Sequence, residues 1–257
     1  MLYREALNKA LDEVMNIDES VVTLGEDVGL YGGSFRVTEG LVEKYTQQRV
    51  IDTPIAELSI VGNAVGMAIG GLRPVAELMT GNFSLLAFDQ IINHMSKIHY
   101  MSNGKVKLPI VVRFPVGGGI RALEHHSESL ETLLGHIPGL KVVFPSTPYD
   151  AKGLMISAIE DPDPVIYMEP KRIYRSGKQE VPEEMYRIPI GKAKVTQEGT
   201  DITVVAWGAM MREAEKAIKL LEDENISVEL IDLRTINPID EETIIESVKK
   251  TGRFLVV

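Results

Sequence analysis

Arg49-Val50-Ile51-Asp52-Thr53-Pro54-Ile55-Ala56-Glu57, then the apolar run 58–72, then Arg73-Pro74-Val75-Ala76, reads as strand, turn, helix and strand in succession. Strands alternating with a helix in this way argue for an α/β fold. Between 58 and 72 the only polar side chains are Ser59 and Asn63, so the spacing predicts a helix buried on nearly every side. Thr53 is a natural N-cap and Pro54 a natural first helical residue, which sets the expected start of the helix. A capping-box acid would then stand at position 56, where the chain has Ala56. Glu57 comes one residue too late for that role. It has two readings: a first-turn acid complementing the helix dipole, or a buried carboxylate that needs a partner or shares a proton with one.

The alternation continues outward. β-branched runs at 21–24, 110–113, 141–144 and 165–168 are separated by helical stretches. The expected fold class is therefore α/β, a mostly parallel sheet with helices on both faces. Ligands in such folds bind at the carboxyl ends of the strands, where Glu26, Glu77, Arg113 and Glu169 fall. A first domain over 1–175 is expected, then a charged, turn-rich linker over 176–196. The second unit, 197–257, reads as strand 202–206, helix 211–222, strand 228–231, helix 241–250 and strand 254–257. Its last strand is followed by no helix, the pattern of an incomplete second α/β domain.

A helix is predicted over 83–102, carrying His94 and His99 on different faces as structural residues, and His136 reads as a turn residue. Gly62, Gly66 and Gly70 fall four apart on one helix face. That smooth stripe either packs on the chain's own sheet or forms a seam between subunits.

With 44% hydrophobic and 25% charged residues, the 257-residue chain has ordinary globular composition. A net charge of −10, without any basic cluster interleaved with aromatics, argues against a nucleic-acid partner. Zero cysteines exclude disulfides, thiolate metal sites and a cysteine nucleophile. The N-terminus shows no apolar leader and the longest apolar run is too short for a bilayer, so no membrane partner and a cytoplasmic location are expected.

Gly25-Glu26-Asp27-Val28-Gly29 lacks any phosphate-binding spacing, and its two acids would repel phosphate. Glu26 reads as a second carboxylate at the working edge or as a turn acid. Gly117-Gly118-Gly119 opens a flexible loop holding His125 and His126, either surface residues or acid, base or anion-binding groups. Phe83, after Thr80-Gly81-Asn82, is a core residue or an aromatic stacking on a planar ligand.

Taken with Leu24-Gly25-Glu26-Asp27-Val28-Gly29, Gly71-Leu72-Arg73-Pro74-Val75, His126-Ser127, Pro138-Gly139-Leu140-Lys141-Val142-Val143 and Pro148-Tyr149-Asp150-Ala151-Lys152-Gly153-Leu154, the opening stretch resembles a known family. It is the β subunit of the thiamine-diphosphate-dependent E1 component of 2-oxo acid dehydrogenase complexes. The matches run in collinear order over almost the whole chain. The resemblance implies a pyrimidine-binding domain followed by a C-terminal domain of transketolase type. It implies that Glu57 hydrogen-bonds N1′ of the cofactor's aminopyrimidine, that Glu26, Leu58 and Phe83 line the pyrimidine pocket, and that His126 stands near the substrate or the incoming lipoyl group. It also implies a structural potassium ion on main-chain oxygens of Ile110, Ala158, Ile159, Asp161 and Asp163.

The chain has no Gly-Asp-Gly segment of the kind that binds Mg²⁺ and diphosphate in complete enzymes of this type. The resemblance therefore implies an α subunit holding Mg²⁺ and the diphosphate, an α₂β₂ heterotetramer, and lipoyl-E2 as acceptor of the acyl group. The implied substrate is pyruvate or a similar small 2-oxo acid. An acetoin dehydrogenase β subunit and a non-catalytic scaffold paralogue are the alternatives. Two departures stand out: Glu128 occupies a position where many relatives have Gln, and relatives continue past Val257.

Overall fold

The computed structural model describes residues 1–221 and 224–257. In chain order the elements of the first unit are α1 (Tyr3–Ile17), β1 (Val21–Gly25), α2 (Leu41–Tyr45), β2 (Val50–Asp52), α3 (Glu57–Ile69), β3 (Arg73–Glu77), α4 (Ile98–Met101), β4 (Val111–Val116), α5 (Glu131–Gly135), β5 (Lys141–Val143), α6 (Pro148–Glu160) and β6 (Val165–Pro170). The second unit holds β7 (Lys194–Gln197), β8 (Ile202–Ala206), α7 (Met210–Leu221), β9 (Val228–Asp232), β10 (Thr235–Asn237), α8 (Glu241–Thr251) and β11 (Phe254–Val256). Of the predicted helix 211–222, Glu222 lies outside the described residues.

The main sheet has seven strands in the order β10-β5-β6-β4-β3-β1-β2, all parallel except β10, which runs antiparallel to β5. Side chains alternate between its faces with the strand period of two. Val75, Val111, Val165 and Tyr167 join the core under α1 and α6. Ala76, Val112, Ile166 and Met168 join the opposite core, under α3 and the segment that follows β3. A mostly parallel sheet covered on both faces is thus what the β-branched runs encode.

The second sheet has four strands in the order β11-β8-β9-β7. Its β7 begins at Lys194, inside the stretch read as linker. Strand β10, which the sequence reading missed, leaves this unit and pairs with the edge of the main sheet, with Thr235 opposite Val143. Three residues are too few to show a period. Polar pairs seal the same junction: Arg234 Nη2 donates to Asp150 Oδ1 at 2.5 Å, and Ser146 Oγ donates to Asp232.

Four expectations fail. Helix α3 starts at Glu57 with Ala56 as N-cap, not at Thr53. Thr53 remains extended because its N–H donates to Gly25 O at 2.9 Å, continuing the ladder of β2, and Pro54 holds the preceding residue out of the helical region. Nor is α3 buried on all sides: Leu58 is 54% exposed and Ile69 55%, and Gly66, Gly70 and Asn63 share the open face. The glycine stripe does not pack on the chain's own sheet, since a Cβ on Gly66 would meet nothing within 4 Å. The predicted helix 83–102 is broken into a 3-10 segment (Gly81–Ala87), a π-helical segment (Gln90–Met95) and α4. The wide turn is closed by Ser96 N–H donating to Ile91 O at 3.0 Å, and Ile91 and Met95 are both buried.

Candidate functional site

The carboxyl edge of β1, β2, β3, β4 and β6 gathers the chemistry-bearing residues. The turn after β1 is fixed by Asp52 Oδ1, which accepts Gly29 N–H at 2.6 Å, and this keeps Glu26 beside the start of α3. Glu57 is the first residue of that helix and only 6% exposed. Among the described residues no hydrogen bond or ion pair reaches its carboxylate. Glu26 responds to it: burial first, then the charges of Asp27 and Glu57, push the Glu26 carboxyl above the usual range. A carboxylate at a helix N-terminus, with no partner in its own chain among the described residues, keeps its hydrogen-bonding capacity free for a group from outside the chain.

Opposite these acids, Phe83 on the 3-10 segment and His126 on the 3-10 turn Glu124–His126 meet edge to face, with centroids 5.6 Å apart and planes at 75°. Both rings are half-buried. The loop closes at its base, where Gly117 N–H donates to Glu128 O at 2.9 Å, and Asn82 Nδ2 donates to the Glu128 carboxylate. His125 is exposed, pairing only with Glu124 at 3.3 Å. His94 and His136 are exposed as well, and His99 Nδ1 lies 2.8 Å from Val106 O.

Sequence reasoning missed Lys171, buried on the turn Lys171–Ile173 after β6. Its ammonium donates to Thr80 Oγ1 at 2.5 Å and to His126 O at 2.6 Å. Its position one residue past a strand end, on the ligand-binding edge, is the signal that would have found it.

Glu77, Arg113 and Glu169 share this edge but form a closed group. Arg113, 1% exposed, grips Glu169 through Nε at 2.6 Å and Nη2 at 2.7 Å, and also donates to Glu77. Tyr174 donates to Glu169 as well. Burial raises the Glu77 carboxyl despite the guanidinium, because a second carboxylate shares it. Gly33, at φ +76°, passes so close that a Cβ there would lie 2.7 Å from Glu77 Oε1. These three charged residues are a floor under the site rather than groups presented to a ligand.

The remaining implied residues lie elsewhere. Leu58 points away from the chain's own core, beside exposed Ile55. Ile110 precedes β4, Ala158 and Ile159 end α6, and Asp161 and Asp163 lie in the turn before β6. Arg73 Nη1 donates to Ile159 O at 2.8 Å and Asp161 O at 3.4 Å, Val165 N–H donates to Ile110 O at 2.8 Å, and Lys141 Nζ sits 2.7 Å from Asp161 Oδ1. Each carbonyl oxygen keeps a second lone pair, so a potassium ion fits this set only by sharing it with a guanidinium.

A mostly parallel seven-stranded sheet with such an edge, joined to a four-stranded sheet, is a two-domain α/β architecture. The transketolase pyrimidine-binding domain matches residues 1–177, and the transketolase C-terminal domain matches 191–257. The chain is 64% identical over 253 residues to the pyruvate dehydrogenase E1 component subunit beta of Acholeplasma laidlawii, an alignment covering 98% of this chain and 77% of that one. Proteins of the same description from Mycoplasma genitalium and Bacillus subtilis are 51% and 49% identical, each alignment covering 98% of this chain and 78% of theirs. A solved structure described as a split gene transketolase, inactive beta4 tetramer, superposes with a TM-score of 0.82 at 28% identity, covering 100% of this chain and 79% of that one. The chain belongs to the family of pyruvate dehydrogenase E1 β subunits. No helix among the described residues is long and apolar enough to cross a membrane.

Proposed function

We propose that this chain binds the aminopyrimidine half of thiamine diphosphate at an interface with an E1 α subunit, which holds Mg²⁺ and the diphosphate. The pair acts in oxidative decarboxylation of pyruvate or a similar 2-oxo acid and passes the acyl group to lipoyl-E2. The observation that carries this reading is Glu57: a carboxylate 6% exposed, at a helix start, without a partner among the described residues. Bound thiamine diphosphate supplies the carbon nucleophile and the electron sink for loss of CO₂. Glu57 holds a proton between its carboxyl oxygen and the pyrimidine nitrogen N1′. Glu26 lines the same pocket, Phe83 packs on the ring, and His126 faces the reacting end. Exposed Ile55, Leu58 and Leu86 flank the site and exclude water once the α subunit covers them. The open glycine face of α3 belongs to the same seam, completing an α₂β₂ assembly.

The test is co-expression with a Gly-Asp-Gly-bearing partner, following reduction of an artificial electron acceptor with pyruvate, branched 2-oxo acids, 2-oxoglutarate and acetoin. Turnover with pyruvate is expected. An assembled complex that binds thiamine diphosphate yet turns over none of these substrates overturns the catalytic reading, and turnover with acetoin alone makes the chain an acetoin dehydrogenase subunit. The potassium site at Ile110, Ala158, Ile159, Asp161 and Asp163 is part of the same reading. Exchanging potassium for choline salts should lower Tm if the ion shares those carbonyls with Arg73.

A further inference from the structure

We propose that Lys171 is a positioning residue, whose ammonium ties the His126 loop to the strand end carrying Phe83 and so sets the relative placement of those two rings. The proposal rests on the site reading above. Three chain segments distant in sequence converge on one nitrogen: the turn after β6 supplies Lys171, the segment after β3 supplies Thr80 Oγ1 at 2.5 Å, and the loop after β4 supplies His126 O at 2.6 Å. Thr80 Oγ1 in turn lies 3.4 Å from Pro115 O on β4, so the nitrogen is stitched to three neighbouring strands.

The loop needs this tie. Between its base at Gly117 and Glu128 it includes Arg121 at φ +58° and Leu123 at φ +63°, conformations that non-glycine residues adopt only where the surroundings hold them. Leu123 itself is exposed, so its own side chain cannot do the holding. Ser127 Oγ reaches Leu123 O at 2.6 Å, a bond internal to the loop. Among the described residues the side-chain bond from the main sheet to His126 itself is the one from Lys171.

Burial lowers the Lys171 ammonium to about 8, with no carboxylate bonded to it to offset the cost. The charged side chains that line a cavity together with it are Arg172 and Arg175 on its own segment and Glu131 from α5, while Glu128 on the loop is engaged by Asn82. Glu169, nearby on β6, is held by Arg113. Because the folded value lies below the ordinary lysine value, the unfolded chain binds the proton more tightly, and this group makes stability rise with pH above about 8. A positioning role predicts the opposite for turnover. Loss of the charge-assisted bond to His126 O frees the loop, and the rate falls through the same pH.

The experiment compares wild type, Lys171→Met and Lys171→Arg in two readouts. One is deuterium uptake over residues 117–129 in the full chain, corrected for intrinsic exchange and measured from pH 7 to pH 9.5. The other is kcat and KM for pyruvate in the complex with the α subunit. In Lys171→Met the loop should exchange about tenfold faster, with kcat down about tenfold and KM changed less than threefold. Lys171→Arg should restore loop protection and shift the alkaline limb of kcat upward, because a guanidinium keeps its charge. Wild-type loop uptake and kcat that are both flat across pH 8, or a Lys171→Arg limb that does not move, overturn the proposal; this comparison also decides the matter if Lys171→Met fails to fold. A wild-type complex inactive with every substrate would overturn the functional reading instead, and the loop readout would still decide the role of Lys171.

Discussion

Glu77 and Glu169 lie on the same sheet edge as Glu26 and Glu57, yet the fold treats the two pairs in opposite ways. The first pair shares one fully buried guanidinium, and Tyr174 also donates to Glu169, so its charge is partly offset inside the chain. No ion pair reaches the second pair among the described residues, and burial first, then the charges of Asp27 and Glu57, raise Glu26. Buried charges of the first kind hold a structure in register because removing one partner strands the others. Charges of the second kind raise the energy of the free chain and reserve bonding capacity for a ligand.

The sharpest way to break this contrast is Arg113→Met, which leaves Glu77 and Glu169 buried without their cation. It should cost about 3–5 kcal/mol and lower Tm by roughly 10 °C or more, read by thermal and urea unfolding. A loss under about 1 kcal/mol would mean the cluster is no floor. Glu57→Gln tests the other side. Activity of the assembled complex should fall at least about 100-fold, while stability stays within about 0.5 kcal/mol of wild type. Near-normal rates in that variant would remove Glu57 from the chemistry.

A third carboxylate tests whether partial satisfaction gives an intermediate result. Asp232, at the junction of the two sheets, accepts from Ser146, but burial and the charge of Asp150 push it up to about 7. Its folded value lies above the ordinary aspartate value, so the folded chain holds the proton more tightly. Stability from this group is greatest below about pH 4 and is lost as pH rises to about 7. Asp232→Asn should therefore raise stability at pH 8 by roughly 1–4 kcal/mol, and the gain should shrink steadily toward pH 4 in a Tm series. The smallest expected effect is Gly66→Ala on the open face of α3. With nothing within 4 Å of the added Cβ, the free chain should gain about 0.5–1 kcal/mol, while assembly with the α subunit weakens in analytical ultracentrifugation. Unimpaired assembly would take that face out of the seam.

Much of the fold was legible locally. The runs at 21–24, 73–76, 165–168 and 202–206 became β1, β3, β6 and β8, because an apolar strand buried on both faces leaves an unbroken mark in sequence. Helix α8, with Asp240 accepting Thr243 N–H at 3.3 Å, is also a local matter. What escaped was decided at a distance. Nothing within 83–102 announces a π-helical turn, in which Ser96 N–H bonds to Ile91 O. Thr53 and Pro54 carry every local signal of a helix start, but the ladder bond from Thr53 to Gly25 overrules them. Glu57 and Phe83 stood out as candidates through their neighbours in the chain, whereas Lys171 acquires meaning only from Thr80 and His126, residues 91 and 45 positions away.

By itself, then, the sequence determined the class of sheet, the order of the two units and which acids and aromatics were worth suspecting, because those depend on short-range periodicity and residue chemistry. The tertiary structure alone decided which of those acids share a cation and which stay without a partner. That distinction depends on a guanidinium arriving from another strand, and no local pattern records it.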